Sequence, residues 1–167
     1  MYADQQGTPS SCTACPIGRY LLDEATSSSL HSSLNQCLFC VKGTQPTHRR
    51  ASCSICPAGK TQDQNDNASA VCSYCPVGKY LLDDATSATL HADSATQCLS
   101  CVRGKELISQ NEPCAICGPG KYQSQDLVAG ATCLLCPQGR YLLDNATAST
   151  LHSNINQCLY CQRGKRF

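Results

Sequence analysis

The chain has 167 residues, a net charge of +1 and 16 cysteines, with no Trp, two Phe and seven Tyr. So few large aromatics leave a single packed core thin, and such cysteine density marks either a disulfide scaffold or a multi-metal protein. The near-neutral charge offers no basic excess to meet phosphate, which argues against a nucleic-acid partner, and no apolar run is long enough to cross a bilayer in this segment.

The opening stretch, "MYADQQGTPSS", has no hydrophobic signal region, so a secreted protein would carry its leader outside this sequence. Residues 1–11 read as the end of a preceding short segment, because "YADQQGTPSSC" is similar to "TQDQNDNASAVC" and "YQSQDLVAGATC". From there every Cys belongs to a C-x-x-C pair. The first members are Cys12, Cys37, Cys53, Cys72, Cys98, Cys114, Cys133 and Cys158, with steps of 25, 16, 19, 26, 16, 19 and 25. Three pairs therefore make one period of 60 or 61 residues. Residues 12–71 are a first cysteine-rich repeat, 72–132 a second, and 133–167 a truncated third. A regular period of this kind signals a stacked array.

Within each pair a finer rule holds. Gly stands three residues after the second Cys in all eight cases, from Gly18 to Gly164, and a basic residue follows in seven, Thr44 being the exception. In four cases Pro follows the Cys directly, as in Cys15-Pro16-Ile17-Gly18. Pro second and Gly fourth predicts a type I turn that launches a short extended segment.

Each repeat then carries one long insert, written "CPIGRYLLDEATSSSLH", "CPVGKYLLDDATSATLH" and "CPQGRYLLDNATASTLH". Arg19-Tyr20-Leu21-Leu22 and its copies read as short strands. Asp23, Asp83 and Asp144 sit where they would cap a helix or turn. Leu30 with Leu34, and Leu151 with Ile155, have helical spacing, but Leu90 is followed by Ser94, so one helical turn is the most the pattern supports. The fold class expected is a small disulfide-rich repeat array, an elongated rod of short β-strands and turns with little regular secondary structure.

Paired C-x-x-C motifs also suit zinc. A four-cysteine zinc site consumes two pairs, whereas each repeat holds three. Chain-neighbour pairing would then wire near-identical repeats differently. A disulfide ladder avoids this. The second Cys of each pair bonds the first of the next: Cys15–Cys37, Cys40–Cys53, Cys56–Cys72, Cys75–Cys98, Cys101–Cys114, Cys117–Cys133 and Cys136–Cys158. Each such loop removes about 3 kcal/mol of unfolded-chain entropy in the simple closure picture. Cys12 and Cys161 are left as open half-cystines, pairing beyond this window. Spacing alone leaves other connectivities open.

The strings "CPVGKY" and "CPQGRY", followed by Cys98 and Cys158, resemble the ephrin-receptor-like cysteine-rich repeat, close in style to the first module of tumour-necrosis-factor-receptor repeats. The resemblance runs from Cys12 to the end. It implies an elongated extracellular rod, and a bond from the Cys before Pro to the next Cys, as in Cys136–Cys158. It implies no particular ligand. The three-pair period and the "LLDxAT…LH" insert depart from it.

His31, His91 and His152 recur at equivalent positions, with Asp23, Asp83 or Asp144 near enough in sequence to suggest a metal site, but they read first as a surface or inter-module packing residue copied by repetition. Asp23-Glu24 and Asp83-Asp84 could touch calcium, but the third copy reads Asp144-Asn145, so the second carboxylate is dispensable. A catalytic site is normally written once, and nothing here is unique, so no enzyme is expected. Sequons occur at Asn67-Ala68-Ser69 and Asn145-Ala146-Thr147, and both predict N-glycans on a secreted chain. The clusters at residues 26–29, 86–89 and 147–150 suit O-glycans. Glycans aside, no cofactor is expected. The function expected is that of a non-enzymatic, secreted or cell-surface structural glycoprotein that self-associates head-to-tail into a fibril or surface filament. The alternatives are a ligand-binding or adhesive receptor ectodomain and, less favoured, an intracellular multi-zinc protein.

Overall fold

The computed structural model describes residues 13–21, 27–47 and 52–163. Cys12, Asp23, Glu24 and Gly164, singled out above, lie outside the described residues.

One small motif is built again and again. A turn glycine is followed by a two-residue strand, and its antiparallel partner is the x-x of the next C-x-x-C pair. In chain order the pairs are β1 (Arg19–Tyr20) with β2 (Leu38–Phe39), β3 (Thr44–Gln45) with β4 (Ser54–Ile55), and β5 (Lys60–Thr61) with β6 (Ser73–Tyr74). Then come β7 (Lys105–Glu106) with β8 (Ala115–Ile116), β9 (Lys121–Tyr122) with β10 (Leu134–Leu135), and β11 (Arg140–Tyr141) with β12 (Leu159–Tyr160). The second long insert keeps only one bridge, between Tyr80 and Leu99. Two-residue ladders cannot persist in water by themselves. Each is closed by a disulfide from the Cys before its turn to the Cys before its second strand.

Seven such bonds follow one another: Cys15–Cys37, Cys40–Cys53, Cys56–Cys72, Cys75–Cys98, Cys101–Cys114, Cys117–Cys133 and Cys136–Cys158, with Cα–Cα distances of 5.5–5.8 Å. That spacing is ordinary for a disulfide. The cystines are also most of the core. Cys15, Cys37, Cys40, Cys56, Cys117 and Cys158 are almost fully enclosed, and the large aliphatics packed with them are few. Leu81 joins Cys75 and Cys98, and Leu21 packs on Cys15 and Cys37. The next leucine, Leu82 or Leu143, faces solvent, as strand alternation requires.

The turns differ from the type I expectation. Arg19 N–H bonds the Pro16 carbonyl at 3.2 Å, and Lys79 and Arg140 repeat the bond to Pro76 and Pro137. Pro therefore opens the turn, and Gly is its third residue. Gly18, Gly78 and Gly139 have φ of +81°, +84° and +82°. Positive φ at the third position is a type II turn, which is why Gly is needed there. Counting the turn from Cys rather than from Pro shifted the frame by one residue.

Among the described residues helix is confined to single turns. The 3₁₀ turns are Ser28–His31, Leu34–Gln36, Ala88–His91, Ser149–His152 and Ile155–Gln157, and α1 is Ser94–Gln97. Among the described residues no helix is long and apolar enough to cross a membrane.

The chain falls into two compact units. The first is Met1–Tyr74 with Asp83–Gln97, and the second is Cys75–Leu82 with Cys98–Phe167. The insert Asp83–Gln97 thus packs on modules that precede it. Within the first unit, Gly43 lies so close to this insert that a Cβ would overlap the Ala88 carbonyl; within the second, a Cβ on Gly104 would overlap that of Ser149. Gly120 has the same left-handed backbone, φ +72°, but nothing within 4 Å of its Cβ position. Gly120→Ala should therefore cost only the left-handed penalty, about 1–2 kcal/mol. Gly104→Ala should add an overpacking cost of about 1–3 kcal/mol. Hydrogen exchange of the two variants against the parent measures the difference, and equal costs would deny the close backbone approach.

Candidate functional site

The long insert folds into a rigid platform for one side chain. After Leu82 the chain turns at Asp83, helped by Ala85 in a left-handed conformation, φ +58°. Asp83 accepts from the Thr86 N–H at 3.0 Å and from the Thr86 hydroxyl. This caps a turn, not a helix: the 3₁₀ turn Ala88–His91 has Ser87 at its N-cap position. Asp93 then accepts from Ala95 N–H at 2.9 Å to start α1, and the Gln97 amide donates back to the Thr89 carbonyl. The third copy repeats this with Asp144 on Thr147, Asn154 on Asn156, and Gln157 on Thr150.

The platform presents His91, whose exposure is 0%. Its Nδ1 lies 2.7 Å from the carbonyl of Lys60, 31 residues upstream, and its Nε2 lies 2.9 Å from Asp83 Oδ2. His152, also 0% exposed, makes the same pair of contacts, to the Lys121 carbonyl at 2.8 Å and Asp144 Oδ2 at 2.9 Å. The two sites are related by 61 residues at every member. A carbonyl only accepts, so each Nδ1 donates. The Asp83 carboxyl is held below the usual range by the Thr86 hydroxyl first, with the His91 ring and backbone N–H groups adding to it while burial opposes. Asp144 is lowered to about 2, with the Thr147 hydroxyl as the largest cause. At neutral pH both carboxylates therefore only accept.

A backbone seam runs beside each ring. Gln62 N–H bonds the His91 carbonyl at 2.9 Å, and Gly43 N–H bonds the Gln62 carbonyl at 2.7 Å. The buried Gln62 amide donates to the Thr44 carbonyl at 3.0 Å. In the second unit Gln123 joins His152, Gly104 and Lys105 in the same way, at 2.8, 2.8 and 3.1 Å. The Gln123 Oε1 is buried with no partner, whereas Gln62 Oε1 accepts from Gln64 N–H. Each node thus ties a turn, a hairpin and an insert, segments far apart in sequence.

A ring closed to solvent, with both nitrogens engaged, has none left to take a proton from substrate or to ligate a metal. Among the described residues no group of three or more His, Cys, Asp or Glu could hold a metal ion. His31 is half-buried, and its companion Asp23 lies outside the described residues. Of the carboxylates weighed for calcium, Asp83 is engaged by Thr86 and His91. Of the sequons, Asn145 is exposed. Asn67 is half-buried, donating to Gln64 Oε1 at 2.6 Å and accepting from Ser69 N–H at 2.9 Å. Cys161 is half-buried and outside any disulfide. Sequence reasoning singled out the histidines and aspartates but missed Gln62, Gln123 and the lysine carbonyls. The Gln before Cys37, Cys98 and Cys158 was a readable signal, being present in every copy.

Fold and site together define a small disulfide-laddered repeat protein whose inserts are latched by buried histidines. Seven consecutive disulfides fit an oxidising, extracellular setting. No protein-family pattern and no curated protein matches the chain.

Two outcomes follow from the latch. His152→Phe leaves the half-buried Lys121 carbonyl without its histidine donor and should cost about 1–3 kcal/mol, read by exchange at Gln123 N–H. The lowered carboxyl of Asp144 contributes stability above its unfolded value of 3.8, lost as the pH falls towards about 2. Acid titration of the parent should therefore show a loss across that window, and Asp144→Asn should lack it. An unchanged acid limb would contradict the assignment.

Proposed function

We propose that this chain is a non-enzymatic structural protein of an extracellular matrix or cell surface, built to associate with copies of itself. The observation that carries the reading is the latch contact. The same insert surface meets the same hairpin surface twice, 61 residues apart, once in each unit. A contact of this head-to-tail kind does not use itself up, because each full repeat, 12–71 and 72–132, carries both an insert and a hairpin. Between molecules it grows filaments unless rotation closes it. The three long inserts differ little, which suits assembly better than the diversified module a receptor uses for its ligand.

The finer parts of the reading follow. The modules belong in style with ephrin-receptor-like cysteine-rich repeats. Asn145, exposed at the rim of its insert, carries an N-glycan, and the half-buried Asn67 carries one only if it is added before Gln64 engages it. Electron microscopy of the oxidised protein at high concentration should show fibrils with an axial repeat. A monodisperse monomer without fibrils would overturn the assembly reading and favour a receptor or adhesive ectodomain. Peptide mapping of secreted material should find Asn145 modified, and the bare peptide would remove the glycan.

A further inference from the structure

We propose that the docking of each insert onto its hairpin is held by a proton, the His91 and His152 rings acting as doubly donating imidazolium latches that raised pH releases. Three observations carry this. Both rings are 0% exposed, so neither nitrogen can turn to water for a partner. Both nitrogens of each ring meet oxygen at 2.7–2.9 Å, a carbonyl on one side and a carboxylate on the other. The geometry occurs twice, in units with different neighbours.

A ring with one N–H could satisfy only one of these oxygens. If Nδ1 keeps the hydrogen, the Nε2 lone pair faces the carboxylate at 2.9 Å, a repulsive arrangement in a site closed to water. If Nε2 keeps it, the lysine carbonyl meets a lone pair instead. Only the cation fits both. The closed insert therefore binds one proton more than an open insert whose ring has been deprotonated by solvent, and raising the pH favours opening.

The charged groups around the latch agree with this sign. At His91 they are Asp83, Asp84 and Asp93 on the insert, Lys42 on the turn beside the seam, Asp63 beyond the hairpin, which accepts from Ser94 at 2.9 Å, and Lys60, whose ammonium lies 4.5 Å from the Tyr74 ring. At His152 they are Asp144 on the insert, Lys121 on the hairpin and the Arg103–Asp126 pair on the turn beside the seam, at 3.4 Å. Asp84, Asp63 and Asp93 are replaced by Asn145, Ser124 and Asn154 in the second site, so Asp83 and Asp144 are the carboxylates common to both. The inference stands apart from the assembly reading, because it concerns docking within one chain.

The test uses the intact, oxidised protein with ¹⁵N label. Long-range ¹H–¹⁵N spectra at neutral pH should show two protonated ring nitrogens on His91 and on His152. Between about pH 6 and about pH 9, exchange at Gln62 and Gln123 N–H, corrected for its intrinsic pH dependence, should report opening that rises up to about tenfold per pH unit once the open ring is neutral. His91→Gln and His152→Gln should abolish that slope at their own units and leave the other unchanged. If either variant fails to fold, the parent spectra still decide. Singly protonated rings at neutral pH, or corrected exchange indifferent to pH, would overturn the proposal.

Discussion

Everything in this structure depends on the covalent closure of loops too small to close themselves. A two-residue strand pair has neither the ladder nor the apolar face to outweigh the entropy of its ordering. The disulfide from one cysteine pair to the next removes much of that entropy from the unfolded chain, and its sulfurs then fill the space where aliphatic side chains would otherwise pack. Cys56 and Cys117, each 0% exposed, show both roles at one position. The scarcity of aromatics is thereby explained: the modules need a cross-link more than a core.

Cross-links between chain neighbours do not by themselves hold modules against one another. That second level is made almost wholly of backbone. Gly43 and Gly104 let an insert approach until main chains touch, and Gln62 and Gln123 bridge the seam with main-chain and amide hydrogen bonds. The histidine completes each node by meeting a lysine carbonyl of the short hairpin. Buried polar groups so placed are specific in a way that apolar packing is not, since a shift of one residue would strand every donor.

The ladder was legible because the cysteine metre repeats in threes, and neighbour-to-neighbour bonding treats the repeats alike where four-cysteine metal sites would not. Short strands after the glycines were legible from the basic-Tyr pattern. Their partners were not: nothing in the spacing says that the x-x of C-x-x-C is extended, because those positions hold Leu-Phe, Ser-Ile and Ala-Ile with no shared pattern. The turn type was misread by one residue, since Pro is tolerated both first and second in a turn while only the sign of φ at Gly decides. His91 and His152 are enclosed rather than on the surface, and their acceptors could not be found in sequence. A backbone carbonyl carries no side-chain signature, and the 31-residue return to Lys60 or Lys121 is a property of the fold alone.

The central claim is that neighbouring cysteine pairs are bonded in one register and that this closure builds the modules. Digestion of the native, unreduced protein followed by mass spectrometry of the linked peptides tests it most directly. The account predicts peptides joining Cys56 to Cys72, Cys117 to Cys133 and Cys136 to Cys158, with a mass gain on reduction and no bound zinc. Free thiols holding metal, or bonds within the C-x-x-C pairs themselves, would contradict it.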